Sequence, residues 1–225
     1  MAIAVIALLL ALVFLPQLWA RYTLQRYARP REDFPGTGGE LAAHLVRNAN
    51  LTDVTIEQTE AGDHYDPVNK HVRLSAQNYG GRSLTAIVVA AHEVGHAIQD
   101  HIGYGPLRQR TRLVGFAVHA ERIGAALLVA MPFITMLTRV PASGLVMLLA
   151  GLLVLGLPVL VHLATLPVEF DASFRRALPI LATGYLRDDD LPAARRILLA
   201  CALTYVAASL ATLLNFFRWI QILRR

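Results

Sequence analysis

Apolar and polar positions fall into blocks along this chain. Residues 1–20 contain no Asp, Glu, Lys or Arg, and neither do 123–138, 140–168 or 197–217. An uncharged apolar run of about 20 residues is the length at which a helix crosses the hydrocarbon core of a bilayer. The first, third and fourth runs reach that length, and 123–138 is marginal. The blocks predict a multi-pass membrane protein with one small polar domain between the first and second runs.

Within that polar segment the periodicities change. Pro30 to Gly39 is rich in proline and glycine and reads as a linker. Thr37 is placed to cap a short helix, with Glu40 three residues later as its reciprocal partner. Leu41, Leu45 and Val46 give that helix an apolar face, and it should end near Asn48–Asn50. Val54 to Gln58 and Lys70 to Leu74 alternate as strands, separated by turns at Gly62-Asp63 and Asp66-Pro67-Val68-Asn69. The second strand reads as a possible edge for an extended peptide. Ser83-Leu84-Thr85-Ala86 opens a long helix that runs to about His101 and stops at Gly103. The fold class expected is mainly helical α+β.

Composition supports the block reading. The chain is 55% hydrophobic and only 16% charged, against about 25% charged in a soluble domain. Its net charge of +5 is unevenly distributed. Arg21, Arg26, Arg29 and Arg31 follow the first run, and Arg175, Arg176, Arg187, Arg195 and Arg196 lie between the third and fourth. Basic residues near membrane helices mark the cytoplasmic side, so both segments are expected there. Arg218, Arg224 and Arg225 oppose that pattern if the fourth run crosses. No basic stripe with interleaved aromatics appears, so no nucleic-acid partner is expected. The charge follows the first run rather than preceding it, which predicts a retained anchor instead of a cleaved signal. The single Cys201 forms no intrachain disulfide and reads as a small buried apolar residue.

The chemistry concentrates on the long helix, which carries His92-Glu93-Val94-Gly95-His96. Four residues along a helix correspond to about 40° of rotation and 6 Å of rise, so both imidazoles point to one side. Two neutral imidazoles at that spacing can share a tetrahedral zinc ion, and Glu93 can reach a water there without being a ligand. The wholly apolar Ile87-Val88-Val89-Ala90-Ala91 before the motif suits a buried helix, and Gly95 is expected to leave room at the metal. A hydrolytic zinc site needs a third protein ligand and an open position. Glu121 and Glu169 are the carboxylate candidates, and Glu169 is favoured, in the first turn of a helix started by Pro167. His162 falls inside an apolar run. His96 and Glu169 can meet only if the two apolar runs between them return the chain to one side, which agrees with the arginine distribution.

Beyond the helix, several segments carry a family resemblance: Asp63-His64-Tyr65-Asp66-Pro67, Val72-Arg73-Leu74-Ser75, Gly81-Arg82-Ser83, Ala90 to Ala97, Leu166 to Ser173 and Ala202 to Ala207. With these the chain resembles the YugP-type neutral zinc metallopeptidases of bacteria, relatives in style of the HtpX-like membrane proteases. The resemblance implies a membrane-bound, zinc-dependent endopeptidase with one Zn2+ per chain. His92, His96 and Glu169 would be its ligands and Glu93 the base that takes a proton from the attacking water. HtpX-like proteases carry Asp four residues after the carboxylate ligand, where this chain has Ser173. Ser173 or Asp171 would then orient a ligand, and Tyr65 or Tyr185 could stabilise the oxyanion. His64 reads as turn chemistry, and Asp188-Asp189-Asp190 as a cap for the helix that follows.

The expected organisation is an N-terminal transmembrane anchor (1–20) and a zincin-like catalytic domain (21–122). A transmembrane hairpin (123–164) and a cytoplasmic segment with the third ligand (165–196) follow. A fourth transmembrane or re-entrant helix (197–217) and a basic tail (218–225) complete it. The expected partners are a peptide or membrane-protein substrate and the lipid bilayer. The expected location is the cell membrane, with the active site on the cytoplasmic face. The alternative from another class is a non-catalytic, zinc-stabilised membrane scaffold or holdase.

Overall fold

The computed structural model describes residues 2–138, 146, 149–150 and 157–204. Helix α1 (Ala2–Arg26) leads through the 27–37 linker to α2 (Gly38–Asn48). The Thr37 hydroxyl accepts from the Glu40 N–H, and the Glu40 carboxylate accepts from the Thr37 N–H, closing the capping box at the start of α2. Strands β1 (Thr55–Thr59), β2 (His64–Asp66) and β3 (His71–Ser75) form one sheet in the order β1-β3-β2. β3 runs parallel to β1 and antiparallel to β2. Its alternating Val72 and Leu74 are fully buried.

The strand expected to be an edge is therefore the centre of the sheet, and the edge beside it is β2. Three residues were enough to form β2 because Asp63 fixes its entry. Its Oδ1 accepts from the Ser75 N–H at 2.7 Å and Oδ2 from Asn78 Nδ2 at 2.8 Å. Helix α3 (Ala76–Tyr79) then leads to α4 (Leu84–His101).

α4 is the core of the molecule. Ser83 caps it, its hydroxyl accepting from the Ala86 N–H at 3.1 Å. Every residue from Leu84 to Ala97 is buried, so tertiary packing outweighs the modest helix propensity of Ile87, Val88 and Val89. α2 packs across it. A Cβ at Gly38 would lie 2.3 Å from the Asn78 carbonyl oxygen and 2.7 Å from that of Ala86, so only glycine allows this approach. Gly103, with φ +67°, ends the helix.

α5 (Gly105–Thr138) follows, and packs against α6 (Leu157–Phe170). α6 contains Pro167 in its interior, not at its start as the sequence suggested. It continues as a π-helical stretch, Asp171–Ala177, against α4, then through a short helix (Leu178–Ile180), a second π-helical stretch (Leu181–Tyr185) and a 3-10 turn (Asp188–Asp190) into α7 (191–204). Asp190 serves this turn by pairing with Arg31 at 2.6 Å, which also holds Asp33.

The multi-pass membrane architecture is overturned. Among the described residues no helix is long and apolar enough to cross a membrane. α1 continues past the first uncharged run through Arg21 and Arg26, and Ala20 and Thr23 are buried. The Thr85 hydroxyl also donates to the Leu24 carbonyl at 2.7 Å. α5 opens with Arg108, Arg110 and Arg112, and its uncharged part, Ile123 to Thr138, rises only about 24 Å against a core of about 30 Å. α6 has 14 residues. The middle of the expected hairpin and residues 205–225 lie outside the described residues. The cytoplasmic-face assignment rested on arginines flanking membrane-crossing helices, with the count of crossings in agreement, and loses its basis.

Candidate metal centre

α4 places His92 and His96 on one side, and the end of α6 places Glu169 opposite them. Glu169 Oε2 lies 3.2 Å from His92 Nε2 and 3.2 Å from His96 Nε2. The three residues are buried, and one ligand atom from each falls within 4.8 Å of the others. His96 and Glu169 thus meet as expected.

The other nitrogens of the imidazoles are committed elsewhere, which fixes which atoms face the centre. The Gln99 amide group donates to the Val168 carbonyl and to Asp171 Oδ2, each at 2.8 Å. Its oxygen therefore accepts the Nδ1–H of His96 at 3.0 Å. The Ser173 hydroxyl donates to the Leu198 carbonyl at 3.2 Å, so its oxygen accepts the Nδ1–H of His92 at 3.1 Å. Both Nε2 lone pairs then converge on the Glu169 carboxylate. A ring N–H tethered in this way is the usual arrangement for metal-binding histidines.

Three lone-pair groups facing one another repel unless a cation lies between them. Glu169 Oε1 is also buried with no hydrogen-bond partner, a costly state for an isolated carboxylate. The pocket favours positive charge at this point. Burial disfavours charge on His96, yet the adjacent Glu169 outweighs it and raises its pKa to about 9. Burial would likewise raise Glu169, but His96 and His92 hold its carboxyl well below the usual range. Two imidazoles and a carboxylate make a donor set suited to zinc, so the residues fit the ion.

Glu93 is buried beside the histidines, and burial raises its pKa against the opposing pull of His92 and His96. With His96 it lines a cavity of about 320 Å³ that lies between β2 and the first turns of α5. Tyr65 also lines this cavity, but its hydroxyl donates to Asp100 at 2.7 Å. His64 does so too, its ring nitrogen meeting the Gly62 carbonyl at 2.8 Å as turn chemistry requires. Tyr185 is elsewhere. It borders a larger cavity of about 670 Å³ between α2 and the 184–190 turn, away from His92 and His96. Among the described residues the larger space shows no convergence of metal-ligand atoms, so chemistry rather than size identifies the site. The side chains of Glu121 and His162 lie outside the described residues.

Gly95 plays a different part from the one expected. A Cβ there would lie 2.8 Å from the Ala172 carbonyl oxygen. The glycine admits the Asp171–Ala177 backbone, not the metal. Two residues escaped the sequence reading. Gln99, fully buried three residues after His96, could have been noticed as a polar side chain on the motif's own face. Arg110, which lines the small cavity, has no such signal.

Two histidines on one helix and a distant carboxylate converging on one point are a donor set of the kind that holds zinc. Residues 1–224 match the family model described as "Putative neutral zinc metallopeptidase", and the chain belongs to that family. It is 34% identical over 215 residues to the "Putative membrane protease YugP" of Bacillus subtilis (strain 168), covering 95% of this chain and 92% of that protein. No solved structure matches.

Proposed function

We propose that this protein is a zinc-dependent endopeptidase in which His92, His96 and Glu169 hold one ion per chain and Glu93 is the general base. The observation that carries this reading is Glu169 Oε2 at 3.2 Å from both Nε2 atoms, with both Nδ1–H groups tethered. A zinc ion held there supplies a Lewis acid that polarises a peptide carbonyl and makes water easier to deprotonate. Glu93 accepts the proton from the attacking water and passes it to the departing amine. Burial suits it to both roles, since a carboxylate with raised pKa binds a proton more readily at neutral pH. Asp171, Gln99 and Ser173 keep the imidazoles turned toward the centre. Tyr65, already donating to Asp100, lines the cavity where the oxyanion would form.

The reading includes work at a membrane. It draws on the printed name of the Bacillus relative and on the exposed Phe116, Val129, Phe133, Met136 and Leu137 of α5. Peptide segments near a membrane are the substrates it fits.

The test is bound zinc per chain, together with cleavage of an unfolded substrate such as casein, for the purified protein and Glu93→Gln. The expected result is about one zinc in both, and cleavage lowered about 10²–10⁴-fold in the variant. Zinc bound in both without cleavage by either would replace the enzyme reading with a zinc-stabilised scaffold.

A further inference from the structure

The backbone after Glu169 is π-helical over Asp171–Ala177, and the Leu178 N–H bonds the Ser173 carbonyl five residues back. Such turns are rare and gather at functional sites. Residues five apart on an α-helix point about 140° away from each other. Where backbone bonds run from i to i+5, they lie over one another instead. Asp171 and Arg176 are five apart, and Arg176 Nε donates to Asp171 Oδ2 at 3.2 Å.

This pair is the outer end of a chain of contacts that reaches the metal centre. Asp171 is buried and Arg176 is partly exposed. The oxygen that accepts from Arg176 also accepts from Gln99 Nε2 at 2.8 Å. The Gln99 oxygen in turn accepts the Nδ1–H of His96 at 3.0 Å. A side-chain amide can be turned either way in its site. The opposite orientation would aim the Gln99 oxygen at two acceptors, the Val168 carbonyl and Asp171, and its NH2 at His96 Nδ1. His96 would then carry its proton on Nε2, the atom that faces Glu169. A carboxylate at position 171 opposes that turn. Burying it is costly without a cation, and Arg176 is that cation. The stem of Arg176 lies against α4, where a Cβ on Gly95 would come 3.4 Å from the Arg176 Cβ.

We infer that Arg176 is a positioning residue of the metal centre: through Asp171 and Gln99 it keeps the Nε2 lone pair of His96 turned into the site. The π-helical stretch is what sets Arg176 over Asp171. The inference rests on the reading of His92, His96 and Glu169 as zinc ligands proposed above.

The experiment is competition for zinc with a chelating dye, on the full-length protein. Arg176→Met keeps the stem and removes the donor. Zinc affinity should fall about five-fold, less than for loss of a direct tether of the imidazole. Arg176→Lys returns a cationic donor. The contact is a single one through Nε rather than a fork, so affinity should come back to within about two-fold of the unsubstituted protein. Arg175→Gln removes an equal charge from an exposed neighbour and should also stay within about two-fold. Added to Asp171→Asn, Arg176→Met should change affinity by less than about two-fold, because the contact it breaks is already gone. That double variant holds no unpaired carboxylate at position 171, so it also serves where Arg176→Met alone does not fold. A further loss of affinity in it overturns the assignment. So does Arg176→Met binding zinc as the unsubstituted protein does, an equal loss in Arg175→Gln, or Arg176→Lys binding no tighter than Arg176→Met. Zinc titration and casein cleavage by the unsubstituted protein separate this from the function proposed above. Zinc binding with cleavage, unmoved by Arg176→Met, removes only the role of Arg176. Affinity that follows Arg176 without cleavage removes only the enzyme. Absence of zinc binding removes the metal reading and this role with it.

Discussion

Two helices of this protein present polar pairs four residues apart to a side chain from the C-terminal half. On α2, His44 and Asn48 meet Tyr185. On α4, His92 and His96 meet Glu169. The first triangle closes on itself: His44 Nε2 accepts from the Tyr185 hydroxyl at 2.9 Å and from Asn48 at 2.9 Å, and Asn48 also reaches Tyr185 at 3.1 Å. His44 and Asn48 are exposed, and the triangle holds no carboxylate. The second is buried, carries a carboxylate, and leaves Glu169 Oε1 without a partner. The same spacing makes a surface clasp in one place and a candidate ion site in the other. Burial, charge and tethering of the far nitrogens make the difference.

The sharpest break of this comparison is Glu169→Gln against Tyr185→Phe. A neutral amide no longer balances a cation, so Glu169→Gln should lose more than about 100-fold in zinc affinity, beyond what is typical for a residue that only orients a ligand. Tyr185→Phe should leave zinc affinity unchanged and cost about 0.5–1.5 kcal/mol of stability. Competition with a chelating dye and a melting curve measure both. Zinc loss in Tyr185→Phe would make the two triangles parts of one site.

Tethering is tested next. Gln99→Leu removes the acceptor for His96 Nδ1–H and leaves Val168 O and Asp171 Oδ2 without its donors. Zinc affinity should fall about 10–100-fold while the ligands remain. Asp171→Asn should fall less, because Gln99 keeps its bond to Val168. An unchanged affinity in Gln99→Leu would mean that the histidines need no orienting partner. Gly95→Ala approaches the same contact from the backbone. Its Cβ would press on the Ala172 carbonyl, so about 1–3 kcal/mol of stability should be lost, read as a lower Tm.

The parts of the molecule legible in the sequence are those written in local chemistry. Thr37 with Glu40 and Ser83 announce their helices because caps act within three residues. His92, Glu93 and His96 are legible because one helix sets their relation. Glu169 was favoured as a first-turn residue of a helix started by Pro167; Pro167 lies inside α6 instead, yet the structure brings Glu169 to the histidines. Asp171 and Ser173 were offered as alternatives for one orienting role, and they take one each: Ser173 on His92, and Asp171 on His96 through Gln99. β2 was not legible because His-Tyr-Asp has no apolar alternation, and its pairing depends on Asp63 reaching Ser75 and Asn78. The central place of β3 is a matter of sheet order, which alternation does not encode. The multi-pass reading failed for a related reason. Runs were measured by their uncharged length, whereas α1 and α5 carry their arginines within the same continuous helices.

The smallest effect probes the cavity wall opposite α5, away from the ion. Asp66 is held by Asn69, by two backbone N–H groups and by Arg73, which lower its pKa from 3.8 to about 2. A carboxylate whose folded pKa is depressed contributes its stability above the unfolded value and loses it as pH falls through the folded one. The difference in stability between the unsubstituted protein and Asp66→Asn should therefore be constant above about pH 4. It should then shrink between pH 4 and pH 2, as read by denaturant melts. Zinc affinity at pH 6 should not change, because Asp66 stabilises the turn beside β2 and touches neither histidine. A pH-independent difference would mean that Asp66→Asn acts by distorting the turn rather than by removing a charge. A loss of zinc would mean that the sheet wall and the metal centre fold as one unit.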